Sequence, residues 1–143
     1  MLDIAKSPKA NVMPCLTYRD APAAVEFLCR AFGFEKKMVV PGAGNTIAHA
    51  ELTLGNAMVM LGSTKDTDYG RLVKPPRDAG ISTQSIYLVV VDADAHHARA
   101  KAVGAEIVID LVTQDYGGRD YTCRDPEGHI WTFGTYDPWA ERK

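Results

Sequence analysis

Around residue 50 the chain alternates: Ala50, Leu52 and Leu54 fall on one side, His49, Glu51 and Thr53 on the other. A period of two marks a strand with one buried face, and it predicts a strand over 46–54. Gly55-Asn56 reads as a hairpin turn and Ala57–Leu61 as the returning strand. Upstream the period changes. Val25, Leu28, Cys29 and Phe32 stand at i, i+3, i+4 and i+7, the apolar stripe of a helix over 21–32. Asp20 is placed to cap that helix, because its carboxylate can accept the free N–H groups of the first turn. Pro22 is tolerated in that turn, and Gly33 supplies a left-handed stop. Short strands at 13–18 and 35–40 complete the set, the second running into the turn Pro-Gly-Ala-Gly-Asn at 41–45.

The same order begins again after a polar stretch. Residues 85–91, Ser-Ile-Tyr-Leu-Val-Val-Val, form the most β-prone run in the chain. Asp92 stands where Asp20 stood, ahead of a helix over 93–103 with a small-residue stripe of Ala95, Ala98 and Ala102, and Gly104 ends it. Strands follow at 106–110, 120–124 and 129–134. A glycine-rich loop, Asp115-Tyr-Gly-Gly-Arg119, precedes the second of these, and the turn Asp125-Pro-Glu-Gly128 precedes the third. Asp, helix and Gly thus recur about 72 residues apart with little identity between the copies, the mark of an old duplication. The linking stretch contains Lys74-Pro75-Pro76-Arg77, and a loop this long is usually functional or a linker. The expected architecture is α+β: one domain over 1–143, with module one at about 11–62, a linker at about 63–82 and module two at about 83–137.

Composition narrows the partners. A chain of 143 residues can bury roughly two-thirds of its unfolded surface. Its net charge of -2, with no Lys/Arg stripe, argues against nucleic acid or an anionic membrane surface as a partner. No apolar run approaches the roughly 20 residues of a membrane span. Residues 1–11 lack the order of a signal peptide and read as a loose arm. Cys15, Cys29 and Cys123 are odd in number and without a CxxC pair, which fits a reducing cytoplasm and three buried thiols. GxSxG, GxGxxG, P-loop and HExxH sequences do not occur.

The run Tyr18-Arg-Asp-Ala-Pro-Ala-Ala-Val-Glu-Phe-Leu28, continuing to Phe32-Gly-Phe34, resembles the first strand–helix unit of the vicinal oxygen chelate superfamily. Glyoxalase I, bleomycin-resistance proteins and extradiol dioxygenases belong to that group. Asp125-Pro-Glu-Gly-His-Ile-Trp131 resembles its closing hairpin, and the likeness runs from Asn11 to about Asp137. The resemblance implies paired βαβββ modules, a cup-shaped mixed sheet and a homodimer. Carried over residue by residue, the glyoxalase metal-ligand positions fall on Met13, Glu51, about Ile86 and Thr132. Of these, Glu51 alone has chemistry suited to a hard or borderline divalent ion. No metal and no other cofactor is therefore expected.

Within that frame His49 and Glu51 are the candidate catalytic pair. Two residues apart on a strand, they share a face and suit a metal clip, an acid/base pair or a structural hydrogen bond. Met13, Cys15, Ile86, Tyr116, Arg119, Tyr121 and Thr132 are the candidate ligand-binding residues. Met13, Met58, Met60, Ile86 and Phe133 are candidates for an adaptable apolar lining. Arg119 could equally pair with Asp115 or Asp120. Cys15 and Cys123 are placed to face the cup, with no electropositive neighbour in sequence to activate a thiolate. His96 and His97 point about 100° apart on their helix and are expected to be solvent-exposed. His129 is expected to bond the turn backbone, and Trp131 and Phe133 to pack under the helices. The favoured reading is a protein that binds a small hydrophobic or aromatic molecule. The alternative is a glyoxalase-like lyase or isomerase using Glu51.

Overall fold

In the computed structural model, residues 9–140 are described. They form two compact units: one holds the chain up to Cys29 together with Gly33–Pro75, the other Arg30–Phe32 and the chain from Pro76. The expected arm at 1–11 lies outside the described residues up to position 8. Beyond it, Ala10 N donates to Asn56 O at 3.4 Å.

The first unit runs β1 (Cys15–Tyr18), α1 (Ala21–Phe27), β2 (Glu35–Pro41), β3 (Ile47–Leu54) and β4 (Ala57–Ser63). Its sheet has the order β1-β4-β3-β2, with β1 parallel to β4 and the other pairs antiparallel. The second unit runs a single turn α2 (Pro76–Ala79), β5 (Ile86–Val89), α3 (Ala93–Val103), β6 (Glu106–Thr113), β7 (Arg119–Arg124) and β8 (Ile130–Gly134). Its sheet order, β5-β8-β7-β6, repeats the first with the same parallel pair. Two four-stranded mixed sheets, each carrying one main helix, make the α+β class of the duplication. No helix among the described residues is long and apolar enough to cross a membrane.

The caps obey the same local chemistry in both copies. Asp20 Oδ1 accepts from Ala23 N at 3.1 Å, and Asp92 Oδ1 accepts from Ala95 N at 3.0 Å. Gly33 and Gly104 close the helices at φ 92° and 110°, where a side chain would be strained. The first helix departs from expectation in its last turn. Leu28–Phe32 widens into a π turn, with Gly33 N–H reaching the Leu28 carbonyl. The predicted stripe therefore divides. Val25 and Leu28 are buried in the first unit, Cys29 is half-buried, and Phe32 packs in the second unit on Trp131 and Phe133.

Each sheet buries one face under its helix. In the first unit Leu16, Tyr18, Ala50, Leu52, Val59 and Leu61 meet α1, as the alternation of β3 predicts. In the second, Leu88, Tyr121, Cys123, Trp131 and Phe133 meet α3. The α3 stripe is corrected: Ala93 and Ala100 are buried, whereas Ala95, Ala98 and Ala102 face solvent. The buried line passes through His96 and His97 instead, at the i+3 and i+4 positions from Ala93.

The linking stretch is not free chain. Residues 64–75 fold onto the first unit, with Thr64 N donating to Tyr18 O at 2.9 Å. Residues from Pro76 fold onto the second, where Arg77 N donates to Glu127 O at 3.1 Å. The division falls at the two prolines.

Candidate functional site

The face of the first sheet turned away from α1 carries the chemistry. Glu51 pairs with Met60 and with Met38, Thr53 with Met58, and His49 with Val40, so these side chains share one surface. Cys15 joins them, because it pairs with Met60 across the parallel ladder. His49 Nε2 stands 3.0 Å from Glu51 Oε2, the same-face contact that their spacing predicts. Lys37 Nζ approaches Glu51 Oε1 at 3.8 Å, from the bulge between Lys36 and Met38. Glu51, with 20% of its side chain exposed, is thus a largely covered carboxylate held between an imidazole and an ammonium.

At the end of this sheet, where β1 and β4 finish beside the start of β3, lies a cavity of about 260 Å³. Met60 and Val73 give it an apolar wall, Leu16 and Leu61 border it from the core, and Cys15, His49, Lys65 and Tyr69 add polar groups. Lys65, Tyr69 and Val73 come from the folded linker, to which the sequence pattern assigns no site residue. Its length was the one available signal. Lys65 Nζ donates to Ala48 O at 2.7 Å. Met13 and Met58 line a second depression with Lys36 and Lys37.

Of the thiols, only Cys123 is buried; Cys29 is half-buried and Cys15 is exposed, so the expectation of three buried thiols is corrected. Cys15 opens β1 on the face turned away from α1. Cys123 points under α3 rather than into a cup, and burial, with the Asp125 charge behind it, pushes its thiol up to about 12.

The uncovered face of the second sheet presents Tyr87, Thr122, Thr132 and Asp120. Thr122 and Thr132 share a hydrogen bond of 2.7 Å. Asp120, 8% exposed, accepts from Gln114 Nε2 at 3.0 Å and from the Tyr116 hydroxyl at 3.3 Å. Gly134 allows this crowding, since a Cβ there would lie 2.7 Å from the Tyr87 hydroxyl and 2.8 Å from Asp120 Cβ. Burial first, and the charge of Asp120 second, push the Tyr87 phenol above its ordinary range.

Several expected ligand contacts are corrected here. Ile86 pairs with Trp131 on the helix-covered face, so Tyr87 takes the uncovered position on β5. Tyr121 is fully buried beneath α3, with its phenol pushed far up by burial. Arg119 alternates to the same side and forks onto Asp94 of α3, with Nε–Oδ2 3.0 Å and Nη2–Oδ1 3.1 Å, rather than meeting Asp115 or Asp120. Phe133 is core and not lining. His96 is half-buried rather than exposed: Nε2 donates to Phe32 O at 2.9 Å, and the Tyr121 hydroxyl meets Nδ1 at 2.6 Å. His97, also half-buried, stands 2.9 Å from Asp110 Oδ1. At the closing turn the His129 backbone does the bonding, its N–H donating to Asp125 Oδ1 at 3.1 Å.

The residues at the superfamily's ligand positions do not fit its metal. Met13 and Glu51 lie in the first unit and Thr132 in the second, while Ile86 is turned under α3. A thioether, a hydroxyl and one carboxylate make a poor donor set for a hard or borderline divalent ion. No group of three His, Cys, Asp or Glu side chains among the described residues is gathered to hold one.

Comparison with known proteins agrees with the fold. The family model for the Glyoxalase/Bleomycin resistance protein/Dioxygenase superfamily matches residues 11–133. An uncharacterised protein of Mycobacterium tuberculosis is 34% identical over 121 residues, covering 85% of this chain and 71% of that protein. The crystal structure of TioX from Micromonospora sp. ML1 has a TM-score of 0.69 at 33% identity, covering 91% of this chain and 98% of that one. The bleomycin-binding protein complexed with bleomycin shares the fold, with a TM-score of 0.62 at 22% identity over 88% of this chain and 98% of its own.

Proposed function

We propose that this chain, which belongs to the Glyoxalase/Bleomycin resistance protein/Dioxygenase superfamily, binds a small hydrophobic or aromatic molecule in the first-sheet cavity and does so without the superfamily's usual metal site. The observation that carries this reading is the cavity itself: about 260 Å³, lined by Met60, Val73, Cys15 and Tyr69 and bordered by Leu16 and Leu61. Ligand pockets combine mostly apolar walls with a few polar groups at volumes of about 300–1,000 Å³, so this one suits a compact ligand. Transferring an apolar ring from water into such walls stabilises the complex by roughly 25 cal/mol per Å² covered. Met60 adds a polarizable, adaptable side chain that tolerates ring shapes. The solved structure of a superfamily protein with bleomycin supports the class of function.

The test is a fluorescence and thermal-shift titration with N-phenylnaphthylamine, bleomycin and a panel of aromatic metabolites. Saturable binding with a raised Tm is expected for at least one. Silence across the panel contradicts the reading.

A second reading has its own observation. Its candidate general base for a lyase or isomerase is Glu51, and the support is that this carboxylate is largely covered and 3.0 Å from His49. Elemental analysis after titration with nickel, zinc and manganese separates the two readings. Stoichiometric metal that is lost on Glu51→Ala would favour chemistry over binding. The proposal also includes a cytoplasmic homodimer, consistent with three free thiols and with Met38, Val39 and Val40 exposed on the edge strand β2. Sedimentation equilibrium checks the dimer.

A further inference from the structure

We infer that the occupant of the first-sheet cavity is an organic anion: a compact aromatic or apolar body carrying one acidic group that meets the ammonium of Lys65. This rests on the reading of the cavity as a binding site and adds the chemistry of what it takes.

The inference comes from matching charges around the cavity one by one. Glu51 is engaged by His49 at 3.0 Å and by Lys37 at 3.8 Å. Asp66 and Asp68, the acidic residues nearest Lys65 in the chain, are both held by Arg71, at 2.9 Å and 3.2 Å. Lys65 is the one lysine, arginine or carboxylate side chain in the lining, and among the described residues no carboxylate pairs with it. Its Nζ meets the Ala48 carbonyl at 2.7 Å. An ammonium has three N–H groups, so two remain for a ligand.

The tether is as informative as the missing countercharge. Ala48 is itself a lining residue, so its carbonyl holds the exposed Lys65 ammonium beside the cavity. Immobilising such a side chain ordinarily costs binding energy, and here much of that ordering precedes the ligand. An acid group arriving beside Met60 would form charge-assisted hydrogen bonds with that ammonium at the mouth of the cavity. A neutral ring gains the apolar walls only, and a cationic one meets repulsion.

Two probes with the same ring system, anilinonaphthalene sulfonate and the uncharged N-phenylnaphthylamine, isolate the charge. Both are titrated by fluorescence into the full chain, into Lys65→Met, which keeps most of the stem, and into Lys74→Met, which removes a loop lysine outside the lining. Lys65→Arg tests rescue. The sulfonate is expected to bind the unaltered protein about tenfold more tightly than the neutral probe, as one charge-assisted contact allows. It should lose that factor in Lys65→Met, keep it in Lys74→Met and regain most of it in Lys65→Arg, while the neutral probe binds all four alike. Either probe should shield Cys15, exposed in the cavity wall, from a maleimide as read by peptide mass spectrometry. Equal losses in the two Lys→Met variants, or no loss in Lys65→Met, would overturn the inference while leaving neutral binding intact, whereas Cys15 unshielded by both probes would overturn the inference and the binding-site reading together. If neither probe binds the unaltered protein, the binding-site reading fails first and takes the inference with it.

Discussion

The Tyr121 hydroxyl lies 2.6 Å from His96 Nδ1, while the other nitrogen of the same ring lies 2.9 Å from the Phe32 carbonyl. A carbonyl can only accept, so Nε2 carries a proton, and in the neutral ring Nδ1 accepts from the phenol, whose hydroxyl also lies 3.4 Å from the His96 carbonyl. It packs on Phe133 with centroids 4.1 Å apart.

Protonating that ring has a cost. Burial is the main cause that lowers the His96 pKa from 6.5, with Arg99 nearby adding to it. The unfolded chain therefore binds the proton more readily than the folded one. The His96 contribution is complete above the unfolded value and declines as pH falls from it towards the folded one. Urea midpoints should drop as pH falls below the unfolded value of about 6.5, and His96→Gln should flatten that drop. A drop of equal size in the variant would refute the assignment.

Tyr121→Phe removes the donor and leaves Nδ1 buried without it. The expected loss is about 1–3 kcal/mol, the cost of a buried unsatisfied acceptor, measured by urea unfolding. A neutral result would mean that the ring finds another donor.

Asp125 organises the closing hairpin. It is 1% exposed; Oδ1 accepts from Glu127 N at 3.0 Å and His129 N at 3.1 Å, and Oδ2 from Trp131 Nε1 at 3.1 Å. Asp125→Asn turns an N–H donor towards one of these donors. A loss of about 1–3 kcal/mol is expected, with a larger loss for Asp125→Ala. Unchanged thermal unfolding would contradict this.

Arg119 ties β7 to the first turn of α3 through Asp94, whose carboxyl it holds below the usual range. Both partners are substantially exposed, and such pairs contribute little. Arg119→Ala and Asp94→Ala should therefore have small effects that do not add, and neither should alter probe binding. Weakened binding in the arginine variant alone would restore its role as a ligand contact.

The three thiols should separate by reactivity with iodoacetamide. Cys15 is exposed and reacts in the native protein; Cys123, with its thiol pushed up to about 12 beneath α3, should react only on unfolding. Modification of Cys123 without loss of structure would contradict its placement.

Much of this was legible in the sequence, and what was not has identifiable reasons. Alternation in β3 placed Ala50 and Leu52 inside and His49 and Glu51 outside, because a half-buried strand writes its face into its pattern. The Asp and Gly caps located both helices. In 85–91 the apolar residues are continuous, so the pattern could not tell Ile86 from Tyr87, and only pairing with β8 decided it. The same parity problem puts Tyr121 and Cys123 on the cup side in the sequence reading, where pairing with β8 turns both under α3. The residues that complete the cavity, Lys65, Tyr69 and Val73, sit in a segment without periodicity, whose fold is set by where its backbone bonds go. His96 reads as a surface residue until its two partners, from distant parts of the chain, are known.

The central claim is that the first-sheet cavity holds a small apolar or aromatic ligand. Its most direct measurement is a backbone amide shift map of the full chain titrated with N-phenylnaphthylamine. The predicted result is saturable shifts clustered on Leu16, His49, Leu61, Tyr69 and Val73, with Ile130 and Arg124 unmoved. Shifts clustered on the second unit instead, or none at all, would contradict it.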